Sequence, residues 1–310
     1  MPRQIKSHAS KVAVIIPCFN EALSIAAVIK KFKKSLPSAH IFVFDNNSTD
    51  GTGKVAEKAG AYVKYIKLKG KGHVVRRMFA DIDADIYVMV DGDDTYEVEK
   101  SNHLVKYFMQ NNLDMLVGVR NTNEKKAYRL GHRFGNWLIT SCINYLFGHS
   151  FKDILSGFRV FSKRFVKTFP ANSDGFEIET ELTIHSLEMK MPIDEVDIKY
   201  FSRMPGSQSK LNSYLDGLKI IFMITRLFKE KKPLSFFTFG SFISILISIV
   251  LAIPIVKEFL ITGLVPRFPT AILCVGLCII GAILLVCGII LEEVSKNRRT
   301  SNYLHYLSFK

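Results

Sequence analysis

Asp91, Asp93 and Asp94 stand directly after a short apolar run, Tyr87-Val-Met-Val90. The run is too short for a helix with an apolar face and reads as a buried strand. Such a strand carries its acidic residues to a sheet edge, where parallel α/β folds place their ligands. Asp91 and Asp93 are two apart, and a regular strand sets such positions on one face. Two carboxylates on one side make a hard-oxygen site suited to Mg²⁺ or Mn²⁺, ions that take substrate phosphates as co-ligands. A solvated acidic turn capping the next helix is the alternative.

The elements before this run set its frame. Val12-Ala-Val-Ile-Ile-Pro-Cys-Phe-Asn-Glu21 reads as a buried strand broken by Pro17, then polar Asn20 and Glu21 opening a helix through Phe32. Ile41–Asp45 is a second strand, followed by a cluster of turn formers in which Thr52 is placed to cap the next helix, to Ala59. Ala61–Ile66 is a third strand, and the Lys69-Gly-Lys-Gly72 turn opens another helix. This strand–helix rhythm predicts a parallel sheet with right-handed crossovers, an α/β fold. Neither a G-x-G-x-x-G dinucleotide turn nor a Walker loop is present. Asp45, at a strand end, suits hydrogen bonds from a base or ribose hydroxyl; a turn-forming Asx role is the other reading.

The 310 residues have room for one large or two modest domains. Leu234–Val256 and Phe268–Leu291 contain no charged residue, and each is long enough to cross a bilayer. Arg226, Lys229, Lys231 and Lys232 precede the first stretch, and Lys296, Arg298 and Arg299 follow the second. By the positive-inside rule both flanks are cytoplasmic, giving a membrane hairpin. With no signal-peptide pattern at Met1–Lys11, the head and both termini are expected in the cytoplasm, at the plasma membrane. The net charge of +14 then points to an anionic membrane surface and not to nucleic acid, for which no zinc-finger or aromatic RNA-binding pattern exists. Five scattered cysteines suit a reduced compartment and form no metal pattern.

Ile16-Pro-Cys-Phe-Asn-Glu21, Asp45-Asn-Asn-Ser-Thr-Asp-Gly-Thr52, Gly70-Lys-Gly72 and Asp91-Gly-Asp93, in this order, resemble family 2 glycosyltransferases of the GT-A fold. Within them the chain resembles the polyprenyl-phosphate hexose synthases, the dolichol-phosphate mannose synthase and bactoprenol glucosyltransferase group. Asp153-Ile-Leu-Ser-Gly-Phe-Arg159 and Arg203-Met-Pro-Gly-Ser-Gln-Ser-Lys210 extend the likeness. One departure is that relatives follow the second metal aspartate with Leu-Gln, whereas Asp94 and Thr95 stand here.

The resemblance implies a GT-A domain over 1–211; the apolar and basic residues after it read as an amphipathic interfacial helix over 212–233, and the two apolar stretches as a transmembrane hairpin with a short cytoplasmic tail over 234–310. It implies that Pro17, Asn20, Glu21 and Asp45 hold the nucleotide, with Lys71 near its phosphates. Asp91 and Asp93 would bind the metal, and Glu179 would lie by the sugar, although helix-dipole placement explains Glu177 and Glu181 equally well. Arg120, Arg133, Arg203 and Lys210 would take the acceptor phosphate, a task that suits arginine forks.

The expected reaction moves a hexose from a UDP- or GDP-sugar, UDP-glucose first, to undecaprenyl or dolichyl phosphate with inversion. Ionised phosphate is itself the nucleophile, so no catalytic His is required, and His73, His132, His149 and His185 have no recurring partner in the sequence. A homo-oligomer is compatible with the hairpin. A processive polysaccharide synthase is an alternative, but Trp137, the only tryptophan, lies in no Gln-x-x-Arg-Trp segment. A non-catalytic nucleotide-sugar-binding protein is the other.

Overall fold

The computed structural model describes residues 10–121, 130–148, 151–171, 175, 177–203 and 224–309, leaving aside the side chains of 130–136 and 146. The chain divides into two compact units, Met1–Gly217 with Asn302–Lys310, and Leu218–Ser301.

The first unit is built on a sheet of β1 (Val12–Cys18), β2 (His40–Asp45), β3 (Tyr62–Tyr65), β4 (Ile86–Met89), β5 (Met115–Asn121), β6 (Arg159–Ser162) and β7 (Ile193–Lys199). Their spatial order is β3-β2-β1-β4-β6-β5-β7. The crossovers among the first four strands are α1 (Ile25–Ser35), α2 (Thr52–Lys58) and α3 (Lys71–Asp81). Later come α4 (Ser101–Gln110), α5 (Leu130–Phe147), α6 (Lys163–Thr168) and α7 (Ile178–Glu188). Residues 13–16 of β1 are buried on both faces of the sheet, which is why the strand reads as an unbroken apolar run. Val14 and Ile16 share one core with Val28, Ile29 and Phe32 of α1.

Chain order reverses at β1, which has β2 on one side and β4 on the other. A crevice at the carboxyl ends of β1 and β4 is the consequence. Among the described strands only β6 runs against its neighbours. Its first residue, Arg159, pairs with Met89 and Val117. The reversed strand therefore brings the turn before it to the same edge as the ends of β4 and β5.

Several local expectations are corrected. Pro17 lies inside β1 without breaking it, tolerated because the pairing with β4 has already ended at Ile15. The first helix starts at Ile25, four residues after Glu21. Thr52 is the first residue of α2 and not its cap; Gly51, at φ 83°, takes the cap position that needs a left-handed backbone. Val196–Phe201 alternates like a strand in the sequence, but β7 starts at Ile193, because it pairs with β5 from Met115 onward. Most of the expected interfacial helix lies outside the described residues; 224–231 is helical.

The second unit contains α8 (Pro233–Thr262) and most of α9 (Phe268–Ser308), both long and apolar enough to cross a membrane. Only 17% of the most apolar window of each is buried, so these are not core helices of a soluble fold. Ser244 and Ser248 donate across the pair to the carbonyls of Leu277 and Cys274, each at 2.8 Å. A Cβ on Gly281 would lie 2.7 Å from Ile245, so this glycine permits close helix approach. Both helices outrun the apolar stretches, because the charged residues after Leu291 continue α9.

The end of α9 belongs to the first unit. Tyr306 donates to Asp114 at 2.6 Å, under the Arg164 guanidinium, which lies 4.5 Å from the ring centre and itself bonds Asp114. Residues 302–310, the last part of the expected tail, thus pack within the first unit.

Candidate active site

The turns after β1 and β2 are latched to one another. Asn20, at φ 52°, donates its backbone N–H to Ser48 Oγ at 2.9 Å and accepts from the Thr49 N–H at 2.8 Å. The Glu21 N–H donates to Thr52 Oγ1, and the Ala22 N–H to Asp50. Asp45 spends both carboxylate oxygens on this turn, accepting from Ser48 N–H at 2.9 Å and Gly53 N–H at 3.1 Å. Its side chain therefore does the Asx work weighed above. Asn46, read only as a turn former, accepts from the Gly70 N–H and donates to the Leu68 carbonyl, fixing the entry to α3. Lys71 is the first residue of that helix.

Asp91 and Asp93 lie beyond β4, in a turn and not on a strand face. Asp91 takes the Lys71 ammonium at 2.6 Å, and the same ammonium reaches Glu179, in the first turn of α7, at 2.5 Å. Asp93 is 5% exposed. It accepts from Thr95 Oγ1 at 2.6 Å and from Arg203 Nε and Nη2 at 3.0 and 2.9 Å. Asp94, at φ 56°, turns away to Lys31 at 2.8 Å, so it is not a third member of the pair. Two glycines make the packing possible. A Cβ on Gly92 would lie 2.5 Å from Glu21 Oε2 and 2.6 Å from Cys18 Sγ, and one on Gly157 would collide with Asp91 Oδ2.

Arg120 grips Asp153 with a two-pronged pair, Nε at 2.6 Å and Nη2 at 2.7 Å. Its guanidinium also lies 5.6 Å from the centre of the Tyr200 ring. Asp153 was legible as the first residue of its motif but not as this partner. Tyr96, fully enclosed, accepts from the Gly157 N–H at 2.8 Å. Arg159 is completely buried and donates to the Ser156 and Ile154 carbonyls and to Thr183 Oγ1, tying the 153–159 turn to α7. Arg133 is in α5 with its side chain outside the described residues, and Lys210 lies outside them altogether.

These charges act on one another. Burial opposes the charge on Lys71, but Asp91 and Glu179 outweigh it and hold the ammonium well above the ordinary lysine value. Burial likewise opposes the Asp91 charge, yet Lys71, Arg120 and Arg203 together hold this carboxyl below the aspartate range. Arg203 is raised against its own desolvation by Asp93, Tyr200 and Asp91. Burial pulls Arg159 down to about 10, partly offset by Glu179 and Asp153.

Lys71, Arg120 and Arg203 thus face Asp91, Asp93, Asp153 and Glu179 at one sheet edge. Glu179 is 4% exposed and its Oε2 has no hydrogen-bond partner among the described residues. This oxygen-rich donor set fits a hard divalent cation. No three His, Cys, Asp or Glu side chains among the described residues form a cage by themselves; Mg²⁺ bound by one or two carboxylates takes waters and substrate phosphates as its other ligands.

The sequence model described as glycosyl transferase family 2 matches residues 13–169. Glycosyltransferase AglJ of Haloferax volcanii is 31% identical over 285 residues, covering 91% of this chain and 93% of its own. The undecaprenyl-phosphate mannosyltransferase of Micrococcus luteus is 22% identical over 225 residues, covering 68% of this chain and 91% of its own. Among solved structures, Mycobacterium tuberculosis glucosyl-3-phosphoglycerate synthase with Mn²⁺, UDP and phosphoglyceric acid aligns with a TM-score of 0.54 at 20% identity, covering 71% of this chain and 78% of that one. The fold is GT-A-like, and the chain belongs to glycosyl transferase family 2.

Proposed function

We propose that this enzyme is an inverting, metal-dependent hexosyltransferase that passes a sugar from a nucleotide donor to a polyprenyl phosphate at the cytoplasmic membrane face. The observation that carries the proposal is the set of pairs Lys71–Asp91, Arg203–Asp93 and Arg120–Asp153 at one sheet edge. Exchangeable cations beside carboxylates suit a reaction whose donor and acceptor are both phosphates. The acceptor class is supported by the name of the Micrococcus luteus relative and by the two apolar helices. The donor class is supported by the UDP and Mn²⁺ in the solved structure of like fold.

In this reading Pro17, Asn20, Glu21 and Asp45 frame the nucleotide, with the latched turns as a rigid floor. Asp91 and Asp93 hold Mg²⁺ or Mn²⁺, which when bound neutralises the diphosphate of the leaving nucleotide. Lys71 adds a positive charge beside that diphosphate. Arg203 and Arg120, joined by Arg133 and Lys210, orient the acceptor phosphate. An ionised phosphate oxygen attacks the anomeric carbon while the bond to the diphosphate breaks on the opposite face. An α-linked donor then gives a β-linked lipid product, and no proton has to be removed. The protein contributes alignment and charge. UDP-glucose is the first donor to try, with UDP-galactose, UDP-N-acetylglucosamine and GDP-mannose beside it.

The test uses the full chain in detergent with Mn²⁺, polyprenyl phosphate and each labelled nucleotide sugar. Labelled lipid is expected from at least one donor, and its loss in Asp93→Asn with UDP binding retained. Nucleotide binding without lipid product from any donor would support a sensor instead.

A further inference from the structure

Asp94 and Thr95 stand where chains resembling this one carry Leu-Gln, and Thr95 does other work there. It is completely buried, and its hydroxyl donates to Asp93 Oδ1 at 2.6 Å. The Thr95 backbone N–H points to the same oxygen at 3.3 Å. The Tyr200 side chain also bonds Thr95. A hydroxyl has a single hydrogen and an ionised carboxylate can only accept, so the Tyr200 O–H is the donor in that second bond. The Phe201 N–H closes the enclosure, donating to the Thr95 carbonyl at 2.8 Å. With its hydroxyl engaged twice and no exposed surface, Thr95 itself offers nothing to a ligand. Nor does Asp94, since Lys31 holds both of its oxygens, at 2.8 and 3.0 Å.

Asp93 divides its two oxygens between unlike partners. Oδ1 is held in the interior by Thr95, whereas Oδ2 takes Nε and Nη2 of Arg203 at 3.0 and 2.9 Å. The Arg203 side chain is 37% exposed, against 5% for that of Asp93. Its guanidinium can leave for water or for an anion; the enclosed Thr95 hydroxyl, two residues from Asp93, cannot. We infer that Thr95 is a positioning residue for Asp93: its hydroxyl keeps Oδ1 and leaves Oδ2 as the oxygen offered to a divalent cation, in competition with Arg203. The inference rests on the metal-dependent reading above and names the residue that orients one of its carboxylates. Partners that orient a metal ligand commonly carry about 10–100-fold of metal affinity. The competing explanation is a turn-closing role, since aspartate side chains often bond the backbone two residues on. That role would hold the turn without bearing on the cation.

Mn²⁺ binding by the full chain in detergent tests this, read from the electron paramagnetic resonance signal of free Mn²⁺ with and without UDP. Thr95→Val removes the hydroxyl and keeps the branched shape, and the affinity for Mn²⁺ beside UDP should fall about tenfold or more. Thr95→Ser restores the hydroxyl and should recover most of that loss. Arg203→Gln removes the competitor for Oδ2 and should tighten Mn²⁺ binding several-fold. Should the valine variant not fold, Thr95→Ala removes the same hydroxyl and is read the same way. A turn-closing Thr95 would lower the melting temperature of the variant and leave its Mn²⁺ affinity at the wild-type value, which overturns the inference. An Mn²⁺ affinity unchanged or weakened in Arg203→Gln overturns the assignment of Oδ2. Wild-type protein that binds no Mn²⁺, with UDP or without it, would instead overturn the metal-dependent reading on which the inference stands.

Discussion

The two halves of the candidate site are held by different physics. Beside β1 and β2, polar side chains bond backbone N–H groups: Asn20 with Thr49, Asp50 with Ala22, Asp45 with Ser48 and Gly53. Beside β4 and β5, cations sit on carboxylates: Lys71 on Asp91 and Glu179, Arg203 on Asp93, Arg120 on Asp153. The first half has its shape set before any ligand arrives, which reduces the ordering cost of binding. The second is balanced by its own charges, and an anionic ligand must exchange places with a carboxylate to reach a cation. A rigid floor suits a base and ribose; exchangeable charge suits phosphates.

The largest expected effect is on rate. Asp93→Asn should lower kcat by about 10²–10³-fold, the usual scale for removing one electrostatic stabiliser, as measured by initial rates of lipid-linked sugar formation. An equal loss from Ser48→Ala, in the latched half, would erase the distinction between the halves. Stability should divide the same way. Lys71→Met strands the buried Glu179 carboxylate and should cost about 3 kcal/mol, whereas Ser48→Ala removes one backbone contact and should cost about 1 kcal/mol. Urea denaturation of the two variants compares them directly.

Glycines sharpen the contrast further. Gly157→Ala drives a methyl group onto Asp91 and should destabilise by about 1–3 kcal/mol through overpacking. Gly51→Ala meets no atom within 4 Å and should lose only the roughly 1 kcal/mol of a left-handed backbone. Thermal melts separate the two, with lower catalytic rate expected only for Gly157→Ala. The smallest effect is that of pH. The contribution of Asp91, whose folded value is lowered, is complete above the ordinary 3.8 and is lost as pH falls through that lower value. The contribution of Lys71, whose folded value is raised, is complete below 10.5 and is lost as pH rises through that higher value. Denaturation midpoints at pH 5, 7 and 9 should show no trend from this pair, whereas in Lys71→Met the burial that opposes the Asp91 charge loses its main counterweight, so the destabilisation of that variant should be smaller at pH 5 than at pH 9.

What was legible in the sequence follows the same divide. Contiguous motifs announced the strand ends leading to Asp45 and Asp91, because apolar runs followed by polar turns are local patterns. Nothing local announces that Asp153 answers Arg120 or that Arg203 answers Asp93, pairs separated by 33 and 110 positions. The reversal of β6 was equally hidden, since a four-residue strand carries no sign of its direction. Thr52 misled because capping preference is only statistical, and here Gly51 meets the need for a left-handed residue while Thr52 serves Glu21 and Asp50. The docking of Tyr306 onto Asp114 spans 192 positions and could come only from the folded chain.

The most direct measurement is a two-substrate initial-rate comparison of the wild type with Arg203→Gln, using Mn²⁺, polyprenyl phosphate and the accepted nucleotide sugar. Removing a charged phosphate ligand should raise the KM for polyprenyl phosphate about tenfold or more, with the KM for the nucleotide sugar changed less than about twofold. Equal rises in both constants, or a rise for the sugar donor alone, would contradict the meeting of lipid phosphate and donor at this carboxylate edge.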